Sequence, residues 1–496
     1  MHFRTGETLE KHLGDHKQKS AAELAFHFES GRAYEQAVSY CLLATEAEMS
    51  KFALPQAEAF CDRALSAIRK LPADRRTTSE LSAVELRGQT RASLGRLNDA
   101  VKDFETMERL SDEIGDVGAR ARSLSNRLVP LHFLGRSGDL AKVIDELKQL
   151  GQEIGSADLI ALAEAVTAVE EIMVGRVDSA VERYATVQRE VRGLDSAFVV
   201  AAVRQGAANA NFLQGNYSQT VDAYAELRDA MIEARDGMLL LNGLLFGGMT
   251  HGNLGQFADA LSAFEEGLRL AEQNGERFWI GRYPNSIAWL YFESFDFARA
   301  IDLGLMALEK AKESGCSEPV AHSEINLGLA LMEAGDLERC REELQRADQL
   351  EGLLEWRWRQ RLEAAWSEYW LQAGDETRAK HHAENCRKRA VDTSGGKYLV
   401  LSLRQLARIA LKEGNPEEAR SILGAASDAL RDENARLIAW RLHHTWAEYH
   451  RAIGDKEAAE RSMNAVDGIL LEIERAAPDD MASSIRNYRG TLRSRA

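Results

Sequence analysis

Proline is scarce in this chain, 7 among 496 residues, and its five cysteines form no CxxC pair. Cys41, Cys61, Cys316, Cys340 and Cys386 are an odd number spread over hundreds of residues, which argues against a disulfide framework and fits reduced thiols packed as small hydrophobes. β-Branched alternating runs are rare, so the pattern of half-buried strands is missing. Long apolar runs are missing too. The stretch from Met238 to Met249 is broken by Asn242 and several glycines and falls short of the roughly 20 residues a membrane span needs. The N-terminus, Met1-His2-Phe3-Arg4-Thr5-Gly6, lacks the basic, apolar and small-residue regions of a signal peptide, which points to the cytoplasm. Positive charge is in deficit: 62 Lys and Arg stand against 78 Asp and Glu, a formal charge of -16. Affinity for the phosphate backbone comes from clustered cations that displace counterions, so direct nucleic-acid binding is not expected.

Signatures of catalysis are absent as well. There is no GxSxG, and no serine or cysteine has a recognisable base partner at motif spacing. The nearest approach to a phosphate-binding loop, Gly135-Arg136-Ser137-Gly138-Asp139, lacks the lysine that a GxxxxGK[ST] loop needs. Carboxylate pairs such as Glu170-Glu171 and Glu342-Glu343 arise by number alone in so acidic a chain and read as solvated helix faces. His381-His382 with Cys386, and His443-His444 with His450, are the clusters of metal-ligand type. A zinc site needs convergent ligands, whereas neighbours on a helix diverge by about 100°. The expectation is therefore a protein with no catalytic residues, no metal and no cofactor.

What is abundant is the material of amphipathic helices: 45% hydrophobic and 28% charged residues, with Ala, Leu, Glu and Arg dominant. The helices are punctuated at a fixed period. Short turns recur at Gly95, Gly135, Gly175, Gly215, Gly255, Phe295, Gly335, Gly374, Gly414 and Gly454, 40 residues apart with one slip between Gly335 and Gly374. Glycine at these points ends one helix in the left-handed conformation without a Cβ penalty. Seven residues before most turns stands a small residue, as at Gly88, Ala168, Ala208, Gly248, Ala288 and Gly328, with Leu128 the exception. Five residues after come Ala100, Ala180, Ala260, Ala300, Cys340, Ala379, Ala419 and Ala459, and Phe104, Tyr184, Tyr224 and Phe264 follow four residues later in four units. Small residues provide notches for close helix packing, and the large rings are expected to fill the grooves between neighbouring pairs.

This order of small residue, turn, small residue and aromatic resembles the tetratricopeptide repeat, most closely over Asn326-Leu327-Gly328-Leu329-Ala330-Leu331-Met332-Glu333-Ala334-Gly335-Asp336-Leu337. The unit is 40 residues long, against about 34 in the standard repeat. The resemblance implies an all-α, right-handed superhelical solenoid of antiparallel helix pairs, about ten units, with a concave groove lined by the first helix of each pair. The expected organisation is an irregular helical junction over residues 1–77, the array over 78–475, and a capping helix with a basic tail over 476–496, where Arg486, Arg489, Arg493 and Arg495 lie.

The N-terminal segments Ala21-Ala22-Glu23-Leu24-Ala25-Phe26-His27-Phe28-Glu29-Ser30-Gly31 and Tyr34-Glu35-Gln36-Ala37-Val38-Ser39-Tyr40, followed by Ala57 to Leu65, resemble the junction preceding the repeats in bacterial STAND-type signalling ATPases and cyclase-linked relatives. The chain has no nucleotide-binding switch of its own. It reads either as the sensor half of a larger regulator or as a free-standing relative.

In arrays of this kind, ligand contacts come from the first helix at about thirteen, ten, six and three residues before the turn. These positions hold Gln205, Asn209 and Phe212; Asn242, Leu245 and Met249; Arg282, Asn285, Trp289 and Phe292; and His322, Ile325, Leu329 and Met332. Amides, an arginine and large apolar rings on one surface suit an extended peptide or a partner helix. Later units turn basic, with Arg361, Arg404, Arg408, Arg441, His444 and Arg451, while Glu368 and Glu448 lie among them as possible ion-pair partners. The functional expectation is a protein-interaction and sensing module in bacterial signalling or transcription regulation that binds a peptide, a partner protein or a small effector in the concave groove, with a STAND ATPase, a cyclase or a DNA-binding module among the expected partners. The alternative is a free-standing scaffold or co-chaperone-like adaptor.

Overall fold

The computed structural model describes residues 1–496 except 14–16, 18, 52, 95, 191–193, 234–236, 353–354 and 496. The turn at Gly95 and the side chains of Arg493 and Arg495 lie outside the described residues. Among those described there are 25 α-helices and no strand. The chain forms two compact units, residues 1–166 and 167–496.

The first unit holds α1 (His2–Leu13), α2 (Ala21–Ser30), α3 (Tyr34–Met49), α4 (Leu54–Ile68), α5 (Arg76–Ser93), α6 (Leu97–Ile114), α7 (Val117–Phe133) and α8 (Ser137–Ile154). Helix α9 (Ala157–Met173) spans the boundary. The second unit continues with α10 (Val177–Glu190), α11 (Ala197–Gln214), α12 (Tyr217–Glu233), α13 (Gly237–Asn253), α14 (Phe257–Asn274), α15 (Arg277–Glu293), α16 (Phe297–Glu313) and α17 (Ser317–Glu333). It ends with α18 (Leu337–Asp348), α19 (Glu355–Gln372), α20 (Glu376–Asp392), α21 (Gly396–Lys412), α22 (Pro416–Ala429), α23 (Arg436–Ala452), α24 (Lys456–Arg475) and α25 (Asp479–Arg495). Each helix packs chiefly on its sequence neighbours, as in a tetratricopeptide-type solenoid.

The turns behave as their composition dictates. Gly135, Gly175, Gly215, Gly255, Gly335, Gly374, Gly414 and Gly454 all have positive φ. A second set, Gly115, Gly155, Gly275 and Gly315, does the same at the end of the second helix and marks the joint between units. The acidic residue after the turn glycine has a separate job. Asp336, Asp375 and Asp455 accept the backbone N–H of Arg339, Arg378 and Ala458 at 3.1, 2.9 and 3.0 Å, capping the next helix rather than closing the previous one. Removing one such cap by Asp336→Ala is expected to cost about 1 kcal/mol in a urea melt.

All eight small residues that follow the turns are buried, Ala100 through Ala459. Two of the four aromatic rings act differently from the expectation. Phe104 and Phe264 fill the notch inside their own helix pair, where a Cβ on Gly88 or Gly248 would come within 2.6 and 2.5 Å of the ring. Tyr184 and Tyr224 do reach the following pair, Tyr184 against Gly206 of α11 and Tyr224 against Gly247 of α13. A glycine notch and the ring that fills it are thus one packing device, and the ring goes wherever the notch is.

The second unit closes on itself. Trp356 Nε1 donates to the Ile172 carbonyl at 2.9 Å, and Ser394 Oγ donates to Asp178 at 2.5 Å. Asp432 accepts from the backbone N–H and hydroxyl of Ser218 at 2.5 and 2.9 Å. Arg436 Nη1 donates to the Leu254 carbonyl at 3.2 Å, Ala258 N–H to the Ala476 carbonyl at 3.0 Å, and Tyr291 Oη to Asp480 at 2.9 Å. These bonds join helices α9 to α15 with α19 to α25. The first-helix face of this unit therefore lines an interior instead of an open groove.

Helix α25 is more than a polar cap. Met481 and Ile485 are fully buried in the core of the second unit. Its outer side is held by Arg489, which pairs with Asp467 at 3.0 Å and Glu474 at 2.5 Å, and by Arg486, 2.8 Å from Glu474.

Candidate functional site

Two connected cavities occupy the interior of the second unit. The first, of about 80 Å³, is lined from α11, α13, α15, α17, α19 and α21. The second, of about 320 Å³, lies toward α23 and α25. Trp289, Arg361, Lys397 and Tyr398 line both and form the passage between them.

Most of the residues singled out at first-helix positions meet here. Met249, Arg282, Asn285, Trp289 and His322 line the first cavity, and Phe292, Arg404, Arg408 and Arg441 line the second. Asn209 and Asn242 do not reach either. Asn209 Nδ2 donates to Asn242 Oδ1 at 2.9 Å and its Oδ1 accepts from Tyr224 Oη at 2.5 Å, so the pair ties α11, α12 and α13 together. Lining residues missed at the thirteen–ten–six–three spacing include Arg357, Gln360 and Lys397, and also Asn253, Ser286, Asn326, Trp356 and Tyr398. Arg357 and Lys397 stand seventeen residues before Gly374 and Gly414, one helical turn upstream of the thirteenth position, as does Glu318 before Gly335. Extending the register by four residues, the spacing of one helix face, would have found them.

The first cavity is rich in polar groups without partners. Arg282 is 3% exposed; its Nη1 lies 3.4 Å from Ser286 Oγ and its Nε has no partner. His322 is 5% exposed and neither ring nitrogen has a hydrogen-bond partner, the Glu318 carboxylate being 3.7 Å away. Asn326 Nδ2 donates to Asn285 Oδ1 at 2.7 Å, which leaves Asn326 Oδ1 and Asn285 Nδ2 unpaired. A buried polar group without a partner costs about 1–3 kcal/mol, so a cluster of them implies a site shaped for something else to complete.

Electrostatics agree with the geometry. Burial pulls the Arg282 guanidinium down to about 10; Glu318 opposes the shift, and Arg357 and Arg361 add to it. Burial likewise lowers the Lys397 ammonium to about 8, against the pull of Glu293. Its Nζ donates to Asn253 Oδ1 at 2.9 Å and stands 5.5 Å from the centre of the Trp289 ring. Burial, then Arg282, Arg361 and Arg357, hold His322 well below its usual range, so it is neutral in the folded chain at pH 7. A histidine neutral when folded and charged when unfolded gives stability that is lost as pH falls below its unfolded value of about 6.5. His322→Gln is thus expected to lose less melting temperature than the parent chain between pH 7.5 and pH 5.

The second cavity mixes ion pairs with apolar side chains. Arg441 Nη2 pairs with Glu293 at 2.8 Å, and Glu293 also accepts from Trp289 Nε1 at 2.9 Å. Arg408 lies 2.7 Å from Glu368 and 3.5 Å from Glu448. Arg404 donates to the Arg441 carbonyl at 3.2 Å and to Thr445 at 3.0 Å. The basic end foreseen for the groove is therefore largely neutralised by its own carboxylates. Around these pairs stand Phe292, Phe297, Leu329, Met332, Trp440 and Tyr488.

One wall residue is held in a conformation that costs energy. Phe295 replaces the turn glycine and keeps φ at 67°, which an L-residue adopts at a cost of roughly 1–2 kcal/mol. Its ring stacks on Tyr488 at 3.7 Å and meets Trp440 edge-on at 5.7 Å. Those contacts offset the backbone cost and anchor α25 over the second cavity.

The histidine clusters are used in packing. His382 Nδ1 lies 2.7 Å from Glu363, and the buried Cys386 thiol donates to the Gln360 carbonyl at 3.3 Å. Among the described residues no group of three or more His, Cys, Asp or Glu is placed to hold a metal ion, and no helix is long and apolar enough to cross a membrane. Four of the cysteines are buried, whereas Cys316 is exposed.

No family model matches this chain, and no curated protein matches it. Solved structures do. A Rap protein complexed with competence and sporulation factor superposes with a TM-score of 0.56 at 13% identity, over 72% of this chain and 99% of that one. The Rap conjugation gene regulator of plasmid pLS20 in complex with the Phr* peptide gives 0.48 at 14% identity, over 72% and 98%. The APC/C hetero-tetramer Cut9–Hcn1 gives 0.47 at 14% identity, over 97% and 91%. At these identities the likeness concerns architecture, and what it supports is that this chain is a helical repeat array of the tetratricopeptide type.

Proposed function

We propose that the chain is a ligand-sensing interaction module of a cytoplasmic signalling or transcription-regulating system, taking a peptide, a partner segment or a small effector into the interior of its second unit. The observation that carries this reading is the set of unpartnered, buried polar groups on Arg282, Asn285, His322 and Asn326, all directed at one cavity. One superposed structure is described as a Rap protein complexed with competence and sporulation factor, which agrees with a repeat array that takes a ligand. Within this proposal, the resemblance to the sensor regions of STAND-type ATPases or cyclase-linked proteins supplies the module that would read the state of the array.

The mechanism is a population shift. A ligand that touches α15 and α17 on one side and α19 and α21 on the other binds the closed unit better than an opened one, and stabilises closure by that difference. A partner docked on the outside of the unit then meets a different surface in the two states. No catalytic step is assigned.

The test is to purify the chain from its native extract and to identify what denaturation releases. A peptide or small molecule recovered at about one per chain, and lost from Trp289→Ala with unchanged helix content, supports the reading. A chain that carries nothing inside and binds partners equally well after this change acts as a scaffold through its outer surface.

A further inference from the structure

The charge inventory of the two cavities says which chemistry the ligand carries. Four cations line the first cavity: Arg282, Arg357, Arg361 and Lys397. Among the described residues no Asp or Glu lines it. Arg357 is satisfied by Glu318 at 3.1 Å, just outside the lining. Lys397 is in contact with the Asn253 amide and the Trp289 face, and Glu293 of the second cavity acts on it only through space. Arg282 has a single long contact to a serine hydroxyl, and among the described residues no carboxylate lies within ion-pairing distance of Arg361. A chain with a formal charge of -16 has thus gathered surplus positive charge where water is least able to solvate it. Elsewhere in the second unit half-buried arginines are matched, as Arg441 is by Glu293 and Arg408 by Glu368.

The neighbouring cavity has the opposite character. It holds the carboxylates Glu293, Glu333 and Glu368, the first pairing with Arg441 and the last with Arg408; its volume is about four times that of the first, and aromatic and aliphatic side chains stand between the charges. Trp289 and Arg361 stand at the passage, one offering a ring face and the other a planar fork for a carboxylate or phosphate.

Resting on the reading of this interior as a ligand site, we propose that the ligand is a small amphipathic anion: a carboxylate or phosphate head held by Arg282, Arg361 and Lys397 in the first cavity, with an apolar body in the second. The uncharged His322 and the Asn285–Asn326 amide pair supply the remaining hydrogen bonds to the head. An anion placed there supplies the negative charge that the lining lacks, and the apolar body replaces water against Phe292, Leu329 and Met332.

Three probes with the same tail separate the possibilities: octanoate, octyl phosphate and octanamide, titrated calorimetrically into the full chain. Binding of octanoate or octyl phosphate at least tenfold tighter than octanamide is expected, and whichever anion is preferred identifies the head group. Arg361→Gln, which breaks no ion pair among the described residues, is expected to remove that advantage, weakening both anions at least tenfold more than octanamide. Equal binding of all three probes, or an anion preference that survives in both Arg361→Gln and Arg282→Met, overturns the assignment. Failure of every probe, beside a neutral molecule recovered from native protein and lost in Trp289→Ala, overturns the anion but leaves the ligand site standing. Failure of every probe with no recovered molecule overturns both.

Discussion

Arg282→Met is expected to raise the melting temperature of the ligand-free chain and to abolish its anion binding in the same step. Arg282 is buried to 3% exposure, its Nε has no acceptor, and two further arginines lie close enough to depress its basicity. Methionine keeps most of the apolar stem and removes an unpaired buried charge. The relief is on the order of 1–3 kcal/mol, the usual cost of an unsatisfied buried polar group, which for a unit this large is several degrees at most. The same residue is proposed to hold the ligand head, so stability and binding should move in opposite directions. Such a trade-off is typical of a site kept ready for a partner and not of a packing arginine. Calorimetric melts with and without octanoate provide the check. A variant that melts lower than the parent without ligand would show that Arg282 is a structural residue, and the anion assignment would lose its central contact.

The regular part of this molecule was legible in the sequence because it obeys local rules. A turn that needs positive φ selects glycine, and a close helix contact selects Gly or Ala, so Gly335, Gly328 and Cys340 announce their roles without reference to anything distant. Phe295, out of place in that series, does keep the turn conformation and owes it to Tyr488, nearly two hundred residues away. That dependence could not be read from the repeat. The same holds for closure of the second unit. Repeat logic describes contacts between neighbours, whereas Trp356 with Ile172, Asp432 with Ser218 and Asp480 with Tyr291 join positions separated by more than 180 residues. The mapped groove residues came together for a local reason, since the first helices present the same face in successive units. The open groove expected of them became a chamber for a non-local one. Arg357 and Lys397 escaped notice because closure brings an extra helical turn of each first helix into the lining. Asn209 and Asn242 fell away because each finds the other before it reaches the cavity.

Closure itself yields the second large prediction. Gly396 opens α21, and a Cβ added there would overlap the carbonyl oxygen of Gln214, the last residue of α11. The N-terminus of one helix thus meets the C-terminus of another, where exposed N–H and C=O groups complement each other and only glycine allows the approach. The backbone carbonyl cannot swing aside as a side chain would. Gly396→Ala must push α21 away from α11, at a cost of about 1–3 kcal/mol for overpacking. Because Phe212 of α11 and Lys397 of α21 both line the first cavity, octanoate binding should weaken more than tenfold. Gly424→Ala is the matched control. It lies within α22 with open space around it, so the same substitution should stabilise by roughly 0.5–1 kcal/mol through helix propensity alone. Opposite signs for the two variants in urea melts are the signature of a unit that closes in solution. If Gly396→Ala instead matches Gly424→Ala in stability and retains octanoate affinity, the α11–α21 contact contributes nothing to the folded state, and the interior must be treated as an open groove.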